Sequence, residues 1–155
     1  MVFGLVKWAA RNGFAGEGPS SGSAAKHPGA ARRTGVRGET YAYWYLRRHG
    51  YTIIARNFTV PGIRGEIDLV GYDGEVLAFV EVKTRQGQDG ARGLPEDAVT
   101  HDKRRNLSRM ARQFLAHRRI RQAPSRFDVV AIESRPGHQP VVRLHKGAFA
   151  DQSAA

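Results

Sequence analysis

The stretch GEIDLVGYDGEVLAFVEVKTR, residues 65–85, places two aliphatic runs around a central Asp73-Gly74, the pattern of a β-hairpin. Into those runs are set Glu66, Asp68, Glu81 and Lys83, charges at positions that otherwise read as half or fully buried strand. With Asp73 and Gly74 as the two turn residues, Asp68 faces Phe79 and Glu66 faces Glu81. Directly opposed side chains point to one side of a sheet and alternation preserves that along each strand. Glu66, Asp68, Glu81 and Lys83 are therefore expected on one face. In this register Asp68 and Glu81 are diagonal neighbours, about 7–8 Å apart at the backbone.

Carboxylates this close repel, and burial raises the cost, so the arrangement asks for a compensating cation. Lys83 supplies one. A divalent ion with hard oxygen ligands, Mg²⁺ or Mn²⁺, is the obvious second. A water-facing rim of ordinary cross-strand pairs fits the same charges. Leu77 and Phe79 share the face of Glu81 and Lys83, so the apolar run ends in charge at its C-terminal tip, as when a site is set at the edge of a core. The pattern alone leaves both readings open.

The rest of the chain bounds the answer. At 155 residues it is long enough for one domain with a real core and short for two. No apolar run approaches the roughly 18–20 residues that cross a bilayer, so no membrane span is expected. The absence of cysteine excludes disulfides and thiolate metal sites and suits a cytoplasmic location. A net charge of +11 argues for a polyanionic partner, nucleic acid before a membrane surface or a ribosomal neighbour.

Residues 1–33 are rich in Gly, Ala and Ser and read as a flexible arm. A single domain is expected over 34–148, with a disordered tail over 149–155. Thr34 is the expected N-cap of a helix closed by Gly50. YTIIARNFTV reads as a strand, the hairpin follows, and RQGQDGARGLP reads as a loop. From about Pro95 to Arg119, Val99, Lys103, Leu107, Met110 and Phe114 fall on one helical face. RFDVVAIE is a further strand and PVVRLHKG a short last one. The order α-β-β-β-α-β-β predicts an α/β fold, a mixed sheet with a helix on either face.

Asp68, twelve residues, then Glu81-Val82-Lys83 resembles the PD-(D/E)-x-K nuclease motif. The phrases GVRGETYAYWYL, GYTIIARNF, GEIDLV, FVEVKTR, LPEDAVTHDKRRNL and RFDVVAI together resemble the YraN-type family of small bacterial proteins with a restriction-endonuclease-like fold. The resemblance spans about residues 35–132. It implies an α-β-β-β-α-β core and a Mg²⁺-dependent phosphodiesterase site. In that site Asp68 and Glu81 are metal ligands and Lys83 stands beside the attacking water. Holliday-junction resolvases of the same superfamily add a glutamate on the first helix, and Glu39 matches it by position, with a plain surface glutamate as the alternative. Glu66 is either a further ligand or the partner of Arg64 or another basic residue. Nucleases of this fold often pair to cut two strands, which makes a homodimer a further expectation.

Lys103 to Arg121 carries eight Lys or Arg and no acid. Arg104, Arg105, Arg109 and Arg112 lie mostly off the apolar stripe and are expected, with Lys103, to face a phosphate backbone. Lys103 itself falls on the stripe, so it either snorkels out of the core or reaches the site. Asp128 alternates with Arg126 on its strand, where a structural ion pair is expected. The six histidines show no ligand spacing. The functional expectation is a Mg²⁺- or Mn²⁺-dependent endonuclease acting on DNA, branched or damaged DNA included. The alternatives are a non-catalytic nucleic-acid-binding module and an adaptor that recruits a DNA-repair or DNA-uptake partner.

Overall fold

The computed structural model describes residues 28–86 and 99–152. Among them the elements follow in the expected order: α1 (Pro28–Arg48), β1 (Tyr51–Phe58), β2 (Ile67–Asp73), β3 (Val76–Gln86), α2 (His101–His117), β4 (Ser125–Ser134) and β5 (Val141–Phe149). The expectations for residues 1–27, 87–98 and 153–155 lie outside the described residues.

The strands form one sheet in the order β1-β2-β3-β4-β5. β3 and β4 run parallel, and every other neighbouring pair is antiparallel. A parallel pair needs a crossover, and α2 lies within the one that joins β3 to β4. α2 covers one face of the sheet. Leu107, Met110 and Phe114 at helical spacing pack with Phe79, Phe127 and Val129. α1 covers the other, with Ala42 and Leu46 against Leu69, Val80, Val130 and Ile132. The predicted mixed sheet with a helix on either face is the observed architecture.

Both helix starts differ from the sequence reading. α1 begins at Pro28, whose fixed φ suits a first helical position, and Thr34 lies in its interior. α2 begins at His101 and not near Pro95, because the Thr100 side chain accepts from the Lys103 amide and caps the helix there. Val99 stands before the helix yet remains buried in the same core. β5 is not short: it has nine residues and lines β4 from Phe127 to Glu133.

The hairpin register also differs, by two residues. Asp73 pairs with Val76, Val70 with Phe79 and Leu69 with Val80, so the turn residues are Gly74 and Glu75. Gly74 takes φ +62° and Glu75 has no positive φ, the pattern of a type II′ turn with glycine first. Asp73 is kept in the strand by its ion pairs, to Arg126 at 2.5 Å and to Lys146 at 2.6 Å. The paired register ends at Leu69 and Val80; Asp68 and Glu81 are the next residue on each strand, and the Asp68 side chain there takes the Val82 amide. A two-residue displacement preserves side-chain parity along the paired residues, and Glu81 and Lys83 do meet on one side of β3.

At the turn end, four strands are joined by one polar network. Arg126 donates to Asp128 at 2.8 Å, to the Tyr51 hydroxyl at 3.0 Å and to Asp73. Asp128 is fully buried and also accepts from Tyr51 and from the Gly147 amide. The expected Arg126–Asp128 pair is thus present. Burial, followed by the charge of Asp128, pushes the Tyr51 hydroxyl pKa up, while the bonds from Arg126 and Lys146 hold Asp73 below the usual carboxylate range.

At the other end α1 rests very close to β3. A Cβ on buried Gly38 would lie 2.0 Å from Thr84 Oγ1, so only glycine allows this approach. Overpacking costs about 1–3 kcal/mol against the roughly 1 kcal/mol that alanine gains over glycine within a helix. Gly38→Ala is therefore expected to lower stability in urea titration. Thr84→Ala in the same chain should restore it to at least the parent value. A fully stable single variant would refute the close approach.

Candidate metal and catalytic centre

At the end of the hairpin away from its turn, Asp68 of β2 and Glu81 of β3 are both buried, at 7% and 5% exposure. The Val82 amide donates to Asp68 Oδ2 at 2.6 Å, which fixes the carboxylate against the neighbouring strand. Two lysines compensate Glu81. Lys83, two residues on along β3, lies 2.9 Å from Oε1, and Lys103 of α2 lies 3.4 Å from Oε2. Lys103 also reaches the Glu66 carbonyl at 3.5 Å, so of its two sequence readings the structure gives the one that reaches the site. Gly65 at φ +105° permits the chain to turn in beside this lysine, whose Nζ would stand 3.8 Å from a Cβ there.

From the other side α1 brings Glu39. Ligand oxygens of Glu39, Glu66 and Asp68 all lie within 4.8 Å of one another. Glu66 directly precedes β2 and makes no ion pair with Arg64 among the described residues. Glu81 stands outside that group of three and is held by its lysines. Asn57 was not singled out by sequence reasoning. Its side-chain amide donates to Glu39 Oε2 at 2.8 Å from a backbone at φ +48°. Asparagine tolerates this left-handed conformation better than other non-glycine residues, which is a signal only once the conformation is known.

Burial above all, then the charge of Glu81, pushes the Asp68 carboxyl up to about 7, against the lowering effect of the Val82 amide. Glu81 Oε2 is buried and accepts no hydrogen bond, although Lys103 lies within ion-pair distance of it. The all-oxygen set of Glu39, Glu66 and Asp68, with the under-satisfied Glu81 oxygen outside it, fits Mg²⁺ or Mn²⁺, which take hard oxygen ligands. It does not suit softer metals that prefer thiolate or imidazole.

The arginines of α2 divide by position. Arg105, Arg109 and Arg112, spaced four and three residues apart, form an exposed stripe. Arg105 meets Asp102 at 3.6 Å in a solvent-exposed pair. Arg104 is partly buried, donates to the Val99 carbonyl at 2.8 Å and lies over the Phe149 ring, so much of its guanidinium serves the fold.

Against known families, residues 38–132 match the model described as Uncharacterised protein family UPF0102. That span takes in Glu39, Asp68, Glu81, Lys83 and the whole of α2. The chain belongs to UPF0102. A UPF0102 protein of Koribacter versatilis is 45% identical over 118 residues, covering 76% of this chain and 79% of that one. One of Symbiobacterium thermophilum is 46% identical over 119 residues, 77% of this chain and 98% of the relative. One of Geobacter sulfurreducens is 47% identical over 115 residues, 74% and 87% respectively. The family match agrees with the YraN-type resemblance. Among the described residues, no helix of this UPF0102 chain is long and apolar enough to cross a membrane.

The raised Asp68 pKa has a measurable sign. The folded chain holds this proton more tightly than the unfolded one, whose value is near 3.8. The associated stability is complete below that value and is lost as pH rises through about 7. Asp68→Asn, whose amide oxygen still accepts from Val82, should therefore stabilise the metal-free UPF0102 chain at pH 8 by on the order of 2–4 kcal/mol. The gain should shrink towards zero near pH 4. Thermal melts in a chelator at both pH values check this, and an equal gain at both would contradict the assigned burial cost.

Proposed function

We propose that this chain is a Mg²⁺- or Mn²⁺-dependent endonuclease that hydrolyses phosphodiester bonds in DNA. The observation that supports it most is the convergence of Glu39, Glu66 and Asp68 within 4.8 Å, beside a buried Glu81 paired to Lys83. Three carboxylates brought together with Asp68 buried are costly unless a cation joins them. Asp68, Glu39 and Glu66 would hold the ion, and Glu81 lies close enough to adjust the donor set if a lysine releases it. A divalent cation bound there lowers the pKa of water and offsets charge on the phosphate. Asn57 holds Glu39 in its orientation, and the Val82 amide does the same for Asp68. Lys83 keeps about a third of its side chain exposed, so its ammonium can orient the attacking water and meet a phosphate oxygen.

Calorimetric titration with Mn²⁺ tests the site without a choice of substrate. Binding is expected in the parent chain and absent in Asp68→Ala. Nicking of plain or branched DNA should require Mg²⁺ or Mn²⁺ and disappear in Asp68→Ala and Lys83→Ala. A chain that binds DNA yet nicks no structure with either metal would sink the catalytic reading.

The exposed Arg105, Arg109 and Arg112 stripe favours nucleic-acid binding whether or not cleavage occurs. Each lost phosphate contact lowers the slope of log affinity against log salt by about 0.9. Replacing all three by alanine should reduce the slope for duplex DNA by about 2–3, whereas Asp68→Ala should leave it unchanged. A slope unaltered by the triple replacement would exclude this face as the DNA contact.

A further inference from the structure

The helix that brings Glu39 to the acidic group continues outward as an arrangement of aromatic rings and arginines that the proposed chemistry does not use. Tyr43 and Arg47 follow Glu39 at four-residue steps, along one side of α1. Arg56 of β1 lies over the Tyr43 ring at 4.7 Å, and its neighbour Asn57 holds Glu39. Arg47 lies 5.7 Å from the Tyr43 ring and 5.5 Å from that of Trp44. The two rings meet edge to face at 5.1 Å, and Trp44 is 43% exposed. Among the described residues, Val141 is the only other large apolar side chain so exposed. Glu39 is the sole acid of α1, while Arg37, Arg47, Arg48 and Arg56 are exposed.

We propose that this α1–β1 surface binds single-stranded DNA, with Trp44 stacking on a base and Arg47 and Arg56 meeting the adjoining phosphates. An exposed indole beside two arginines suits an unpaired base, whose faces are free, and offers nothing to a duplex, whose bases stack on one another. The cationic surroundings complement a phosphate chain and disfavour a basic or neutral protein partner. Glu39 stands one helical turn from Tyr43, so a strand on this surface passes beside the acidic group. That last placement rests on the nuclease reading; the binding itself does not.

The test uses the full chain carrying Asp68→Asn, in chelator, so that no cleavage is scored. The chain has two tryptophans, and Trp8→Phe leaves Trp44 as the only indole fluorophore. Oligo-dT is expected to quench Trp44 emission saturably. Trp44→Ala should weaken oligo-dT binding by about 5- to 100-fold, the range of one lost base stack, while duplex affinity stays within about twofold. Trp44→Phe should keep most of the affinity, and Arg56→Ala should lower it. Absent quenching overturns the proposal, as does a Trp44→Ala variant that loses both forms of DNA equally or neither. Emission that is blue-shifted and unquenched would show Trp44 covered by something other than DNA, and overturns it too. Because no metal is present, such a failure leaves the endonuclease reading standing, and an absence of cleavage leaves this one standing.

Discussion

Two buried acids on neighbouring strands, Asp68 and Glu81, are the constraint to which the surrounding structure answers. Asp68 would prefer water, and the charge of Glu81 makes its ionisation more costly still. Every element near them supplies part of the compensation. β3 offers the Val82 amide and Lys83, α2 sends Lys103 from the opposite side of its crossover, and the Asp68 proton is held to about pH 7. Under the proposed function, these acids supply preorganised affinity for a cation.

α2 works on two sides. Its inward stripe delivers Lys103 in line with Leu107, Met110 and Phe114, so a charged group is carried to the site by an otherwise apolar face. Its outward stripe holds Arg105, Arg109 and Arg112 in solvent. One rigid helix thus fixes the distance between the site's counter-charge and a cationic surface. Arg104 stands between them, partly buried, with its Nε on the Val99 carbonyl and its guanidinium over the Phe149 ring.

Much of this was legible in the sequence because strand alternation is insensitive to shifts of two. Alternation along β3 puts Glu81 and Lys83 on one side whichever residues form the turn, and helical spacing puts Lys103 between the buried Val99 and Leu107. What escaped notice depends on three-dimensional contact. Asp73 belongs to the strand rather than the turn because Arg126 and Lys146 hold it, and both are distant in sequence. The grouping of Glu66 with Glu39 depends on how closely Gly38 lets α1 approach Thr84. The orienting role of Asn57 depends on a left-handed backbone that no periodicity announces.

The crossover between β3 and β4 has a consequence for how the chain assembles. β1, β2 and β3 pair through short connections, whereas β4 can join them only after a long loop has closed around α2. The local half of the sheet therefore brings Asp68 and Glu81 together, while Lys103 arrives with the non-local half. Until it docks, the hairpin contains two neighbouring carboxylates with Lys83 as the lysine paired to Glu81. Docking of the crossover is thus rewarded by charge as well as by apolar burial, and the late arrival of one lysine couples completion of the sheet to completion of the site.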